Sequence, residues 1–128
     1  MIHDQTVEAL VEETLSMTQY AKTPLTMDDP DGLAEALTTV NAFLARSGEI
    51  FATAKLLLAE QVAQIYDVMA EELGKMKATD ARRVVTTKTR RAAFLIDLSE
   101  RLNHNLVHEG DNIRRQLQYL SDQMRTAR

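Results

Sequence analysis

The stretch ERLNHNLVHEGDNIRRQ, residues 100–116, holds His104 and His108 four residues apart, with Glu109 directly after the pair. Residues four apart share one face of a helix, and two imidazoles so placed are a common part of a zinc site. Zinc takes three protein ligands even where one position stays open for catalysis. Glu100 and Asp111 lie on nearly the same stripe and could add a carboxylate. The glutamate that acts as general base in an HExxH helix is missing, because Asn105 follows the first histidine. His3, the remaining histidine, stands near the start of the chain. Steps of seven through Arg83, Arg90, Asp97, His104 and Asp111 trace one polar stripe, which reads as a solvated helix face. No metal is expected; His104 and His108 are the candidates should a dimer axis bring further ligands.

Other chemistries find less support. A di-iron bundle wants a glutamate three residues before an inward histidine, twice, and no histidine here has one. The run DDPDG (28–32) resembles the start of a calcium loop. Aligning Gly32 with the loop glycine, however, puts Met27 at the first ligand position and Thr38 where a bidentate glutamate belongs. Neither GxxxxGK[ST] nor GxGxxG occurs, and Ser16, Ser47, Ser99 and Ser121 lack a recognisable nucleophile elbow. The reading is of a protein that is not an enzyme, with no cofactor and no small-molecule substrate.

Charge is more informative. Residues 1–73 hold thirteen acids against Lys22, Arg46 and Lys55, and residues 74–128 hold twelve bases against six acids. Halves of opposite sign can pair with each other or recruit separate partners. The bases concentrate in KMKATDARRVVTTKTRR (75–91): Lys75, Lys77, Arg82, Arg83, Lys88, Arg90 and Arg91 against Asp80 alone. Such a surface could meet phosphates. Glu60, Asp67, Glu71 and Glu72 stand at the same level of the preceding segment and would neutralise much of it. No aromatic residue interrupts the bases to stack on a single strand.

The elements that must position these groups are helices. Cysteine and tryptophan are absent, aromatics are 5 %, and four glycines and two prolines leave a chain rich in good helix formers. Only VVTTKT (84–89) has strand-like composition. Asp4 could cap a first helix over about 4–21, and residues 22–29 form a linker ending in the helix start Asp29–Pro30. A long amphipathic helix then covers about 30–73, closing at Gly74. After a turn at 74–79, with Thr79 or Asp80 as cap, a second long helix covers about 80–127. The short turn makes the two antiparallel. Folding about residue 77 sets residue i against 154 − i and brings Gly48 and Gly110 within about a turn of each other, which predicts close approach or a kink at both.

The fold expected is therefore all-α, a single domain: a long antiparallel helical hairpin with a shorter N-terminal helix. The first helix spans only about 27 Å at 1.5 Å per residue, too little to cover hairpin helices of about 65–70 Å. Oligomerisation, most simply a homodimer, would complete a coiled-coil-like bundle along Leu37, Val40, Leu44, Phe51, Leu58, Ile65, Leu95, Leu102, Ile113 and Leu117. The acidic start carries no basic leader, and no apolar run approaches the ~18 residues of a membrane span, so a cytoplasmic protein is expected.

Residues 100–125 also resemble the C-terminal part of small helical proteins encoded by phages and prophages. There a Glu-Arg-x-Asn run precedes a histidine and an arginine-containing segment. The match rests on Glu100, Arg101, Asn103, His108 and Arg114 or Arg115. The resemblance implies a mobile-element setting and a protein or DNA partner, but no reaction.

Overall fold

The computed structural model describes residues 2–22 and 29–127. Five helices account for them: α1 (Ile2–Ala21), α2 (Pro30–Val68), α3 (Ala70–Gly74), α4 (Ala78–Lys88) and α5 (Arg90–Thr126). No strand occurs among the described residues, and the chain is all-α. Most of the expected linker, residues 23–28, lies outside the described residues.

Pro30 takes the first position of α2, preceded by Asp29 in an extended conformation. The missing amide of proline costs nothing there, since the first helical N–H groups have no intrahelical partner. Asp29 makes no side-chain cap, although its carbonyl accepts from the Leu33 amide at 2.9 Å. The other expected caps fall inside their helices: α1 already includes Asp4, and α4 starts after Lys77, ahead of Thr79 and Asp80.

The hairpin is not two continuous rods. The helix expected over 30–73 is interrupted at Met69, and the one over 80–127 at Thr89. At Thr89 the hydroxyl and the amide both donate to the Val85 carbonyl, at 2.8 and 3.1 Å, and the Thr89 carbonyl accepts from the Ala93 amide at 3.1 Å, so the path turns without losing its backbone bonds. The strand-like run 84–89 is helical through Lys88 and ends at this residue. At Met69 the amide still bonds Ile65 and the carbonyl still accepts from Leu73, so the chain bends without reversing.

Gly48 and Gly110 mark no break, because both helices run through them. Gly110 does sit at a close approach, where an added Cβ would stand 3.6 Å from Val40 Cγ1. Gly48 faces open space. The two do not share a cause. Nor does Gly74 adopt a left-handed cap: no described residue has positive φ, and the reversal runs through Lys75 and Lys77.

The hairpin register follows from side-chain contacts. Asn103 Nδ2 donates to Ser47 Oγ at 2.9 Å and to the Leu44 carbonyl at 3.3 Å. Gly110 lies against Val40, so residue i faces roughly 150 − i, about one turn from the expected pairing. α1 lies across both long helices, with Val7, Val11, Thr14 and Met17 buried. The Glu8 carboxylate accepts from Arg91 on α5, Glu13 accepts from Arg46 on α2, and Tyr20 meets Phe43 edge-on at 5.1 Å. These levels make α1 antiparallel to α2, in an up-down-up bundle.

Leu33, Val40, Ile50, Leu95, Leu102, Leu106 and Ile113 fill the core, each contributing about 1.5–3 kcal/mol by burial. Thr14, Ser47 and Ser99 are fully buried beside them. Each hydroxyl donates to a carbonyl on its own helix, those of Leu10, Leu44 and Leu95. Small polar residues there let three helices approach without an unsatisfied group.

Candidate functional site

The histidine pair stands on the outward face of α5. Every core residue of this helix (Ala92, Leu95, Ser99, Leu102, Leu106, Gly110 and Ile113) lies on the opposite side, and both imidazoles are exposed. The His104 and His108 Nε2 atoms stand 3.3 Å apart with the rings nearly perpendicular, so that one ring's N–H can donate to the other's lone pair. Glu100 precedes the pair by one turn and Asp111 follows it, but Asp111 is paired with Arg114 at 3.3 Å. Among the described residues no three histidine or carboxylate groups gather to hold a metal ion. The pair is a two-ligand arrangement facing water.

The basic residues of 75–91 divide. Arg91 is engaged within the chain: Nε and Nη2 donate to Glu8 at 2.7 and 2.9 Å, and its guanidinium lies 4.9 Å from the Phe94 ring. This partnership raises the Arg91 pKa and lowers that of Glu8. Lys75 reaches Glu71 at 3.5 Å. Lys77, Arg82, Arg83, Lys88 and Arg90 are exposed and have no ion-pair partner among the described residues. Of the neutralisation expected from the facing acids, Glu71 reaches Lys75 by direct contact, whereas Asp67 and Glu72 form no ion pair among the described residues. Helical spacing places Thr79, Arg83 and Thr86 on one outward face of α4, with Arg90 continuing it past the bend.

The ten residues expected to form an oligomer seam also divide. Val40, Leu95, Leu102 and Ile113 are buried within the chain, where α1 and the facing helix already cover them, so they cannot meet a second chain. Leu37, Leu44, Phe51, Leu58, Ile65 and Leu117 are half-buried along the flanks.

A second apolar stripe, not singled out in the sequence reading, runs down the outward face of α2. It comprises Ala45, Gly48, Ala52, Leu56, Ala59, Ala63 and Tyr66, all exposed, at steps of three and four. Leu56 is 59 % and Tyr66 46 % exposed. The signal was present as a second helical period out of phase with the first, but alanine and glycine count weakly as apolar residues.

Among the described residues no helix is long and apolar enough to cross a membrane. Of the residues quoted for the C-terminal stretch, Asn103 ties α5 to α2, while Glu100, Arg101 and His108 face solvent. No family model, no curated protein and no solved structure matches this chain.

Proposed function

We propose that this chain is a non-enzymatic helical interaction module that pairs with a second copy of itself through the outward stripe of α2 and recruits a protein partner with its polar faces. One observation carries the proposal. The chain exposes 8670 Å², whereas a compact 14.4 kDa monomer exposes about 6,800 Å². The excess, roughly 1,800 Å² per chain, is more than the ~800 Å² per partner that a standard-size complex buries, so the chain has surface to give to a second copy. Leu56 and Tyr66 would be the large anchors, and Gly48 and the alanines would let a second helix approach closely. The likeness of residues 100–125 to phage- and prophage-encoded proteins supports a mobile-element setting, in the cytoplasm of a host cell. The test is molar mass by light scattering across a dilution series. A mass of two chains that falls toward one on dilution is the expected result; a single chain at every concentration refutes the pairing.

The five free cations at the hairpin tip favour a second reading, a nucleic-acid-binding accessory protein that meets phosphates through Lys77, Arg82, Arg83, Lys88 and Arg90. Lys75 and Arg91, engaged by Glu71 and Glu8, would contribute less. Affinity for duplex DNA in a filter-binding titration should fall steeply with salt, and Arg82/Arg83→Ala should flatten the slope by about two charges' worth. Absence of binding at low salt removes this reading.

A further inference from the structure

We propose that α1 is a displaceable occupant of a helix-binding groove on the α2–α5 hairpin, and that the groove serves an acidic amphipathic helix supplied by a protein partner. The manner in which α1 is attached carries the argument. Val7, Val11, Thr14 and Met17 are buried at steps of four, three and three, the anchor spacing of a helix laid into a groove. Glu8 and Glu13 stand on opposite flanks of that stripe by helical spacing. Each meets an arginine on a different rim. Arg46 of α2 donates to Glu13 through Nε and Nη2 at 2.9 and 2.8 Å, and Arg91 of α5 donates to Glu8 at 2.7 and 2.9 Å. Between the levels of the two arginines, Ser47, Ile50, Ala54, Ala92, Leu95 and Ser99 are buried, and the serines and alanines leave room for a third helix to lie close.

A planar guanidinium on each rim takes a carboxylate two-pronged, so the groove selects for an acidic helix. The sequence of α1 matches that demand: Asp4, Glu8, Glu12 and Glu13 stand against no lysine or arginine within Ile2–Ala21. α1 is also held by less than α2 and α5 hold each other. Four of its described side chains are buried, against eight on α2 and seven on α5. Its two charged clasps are about half-exposed, where an ion pair adds little and salt screens it. An outside helix of the same chemistry therefore competes on similar terms, less the advantage that tethering gives α1. The inference rests on the reading of the chain as a module that recruits a protein, but not on pairing through α2.

The test uses the full-length chain carrying Leu56→Asp, so that pairing through α2 does not contribute. A fluorescein-labelled peptide of residues 1–22 is titrated and followed by anisotropy. Glu8→Ala/Glu13→Ala in the chain weakens the resident helix and leaves the groove and the peptide intact. Peptide affinity should then rise several-fold, up to about thirtyfold for two exposed pairs. A second arm exchanges charges. The Arg46 groove should favour the wild-type peptide over a Glu13→Arg peptide, and Arg46→Glu in the chain should reverse that order. Circular dichroism melts establish that each variant is folded. Absence of peptide binding to the Glu8→Ala/Glu13→Ala chain, or a preference that Arg46→Glu does not reverse, overturns the proposal. Dimers of the Leu56→Asp chain that the peptide dissolves would hand the groove to α1 of a second copy and overturn the assignment to another protein. Each of these failures leaves the mass of the wild-type chain on dilution, and with it the pairing through α2, untouched.

Discussion

Leu56→Asp separates folding from pairing. Leu56 is 59 % exposed and belongs to none of the clusters that hold α1, α2 and α5 together. Complete burial of a leucine is worth about 1.5–3 kcal/mol, so burying the exposed part contributes roughly 0.9–1.8 kcal/mol per copy. In a two-fold interface every residue counts twice, which gives roughly 2–3.5 kcal/mol, or about 20- to 400-fold in dissociation constant. A carboxylate placed there adds its own desolvation penalty in the same direction. Within the monomer the change costs about 0.5 kcal/mol of helix propensity at most. The assay is light scattering over a hundredfold dilution, with thermal melts followed by circular dichroism at a concentration where the wild-type chain is monomeric. The expected outcome is a dissociation constant raised by more than an order of magnitude beside a melting temperature moved by only a few degrees. An unchanged dissociation constant means that the outward stripe of α2 is not the interface. A collapsed melting temperature means that Leu56 supports the monomer, and the partition of α2 into inner and outer stripes is wrong.

Gly48→Ala should act in opposite directions on the same two quantities. The site is open and helical, so the monomer gains up to about 1 kcal/mol in a thermal melt, while the added methyl stands where the second chain must approach and weakens pairing in the dilution series. Asn103→Ala removes two hydrogen bonds that cross from α5 to α2 inside the bundle and should cost about 1–2 kcal/mol, measured by urea denaturation. Glu8→Gln tests the α1–α5 link. The Arg91 guanidinium depresses the Glu8 pKa, so its stabilisation is present above the ordinary carboxylate range and is lost as pH falls through the lowered value. Melting temperatures of the wild type and Glu8→Gln should therefore differ at pH 7 and converge as pH falls below that lowered value.

How much of this was legible in the sequence depends on which force placed each residue. The antiparallel hairpin and the short first helix follow from periodicity, since Leu33, Leu95, Leu102 and Ile113 recur at helical spacing and each has to be buried somewhere. The interruptions at Met69 and Thr89 were missed because glycine was expected to bend a helix, and a threonine whose hydroxyl bonds back one turn, as at Thr14 and Thr38, stands in unbroken helix as well and so gives no signal of a break. The register slipped by about a turn because it was taken from the expected midpoint of the turn, whereas the Asn103–Ser47 bond fixes it from inside the bundle. The basic tip was visible as composition. That Arg91 bridges to Glu8, 83 residues away, while Arg83 and Arg90 remain free is a property of the tertiary fold alone. The same holds for the seam, since an apolar stripe does not say whether α1 or another chain will cover it.

The three outward surfaces can be perturbed separately because the fold gives each its own support. α4 contributes only Val85 to the buried set and lies between two interruptions of the helical path, so charge changes at Arg82, Arg83 and Lys88 barely touch the core. The histidine pair projects from α5 on the side opposite its buried residues, and the alanine stripe projects from α2 on the side opposite its own. Each of those two faces turns away from the shared core on its own helix, so one chain can meet a second copy across α2 while α5 remains open to solvent. Self-association should consequently be indifferent to the α5 face: His108→Ala should leave the dimer intact in the dilution series. A dissociation constant raised by His108→Ala would mean that the second chain sits on α5 as well, and the interface would have to be redrawn around both helices.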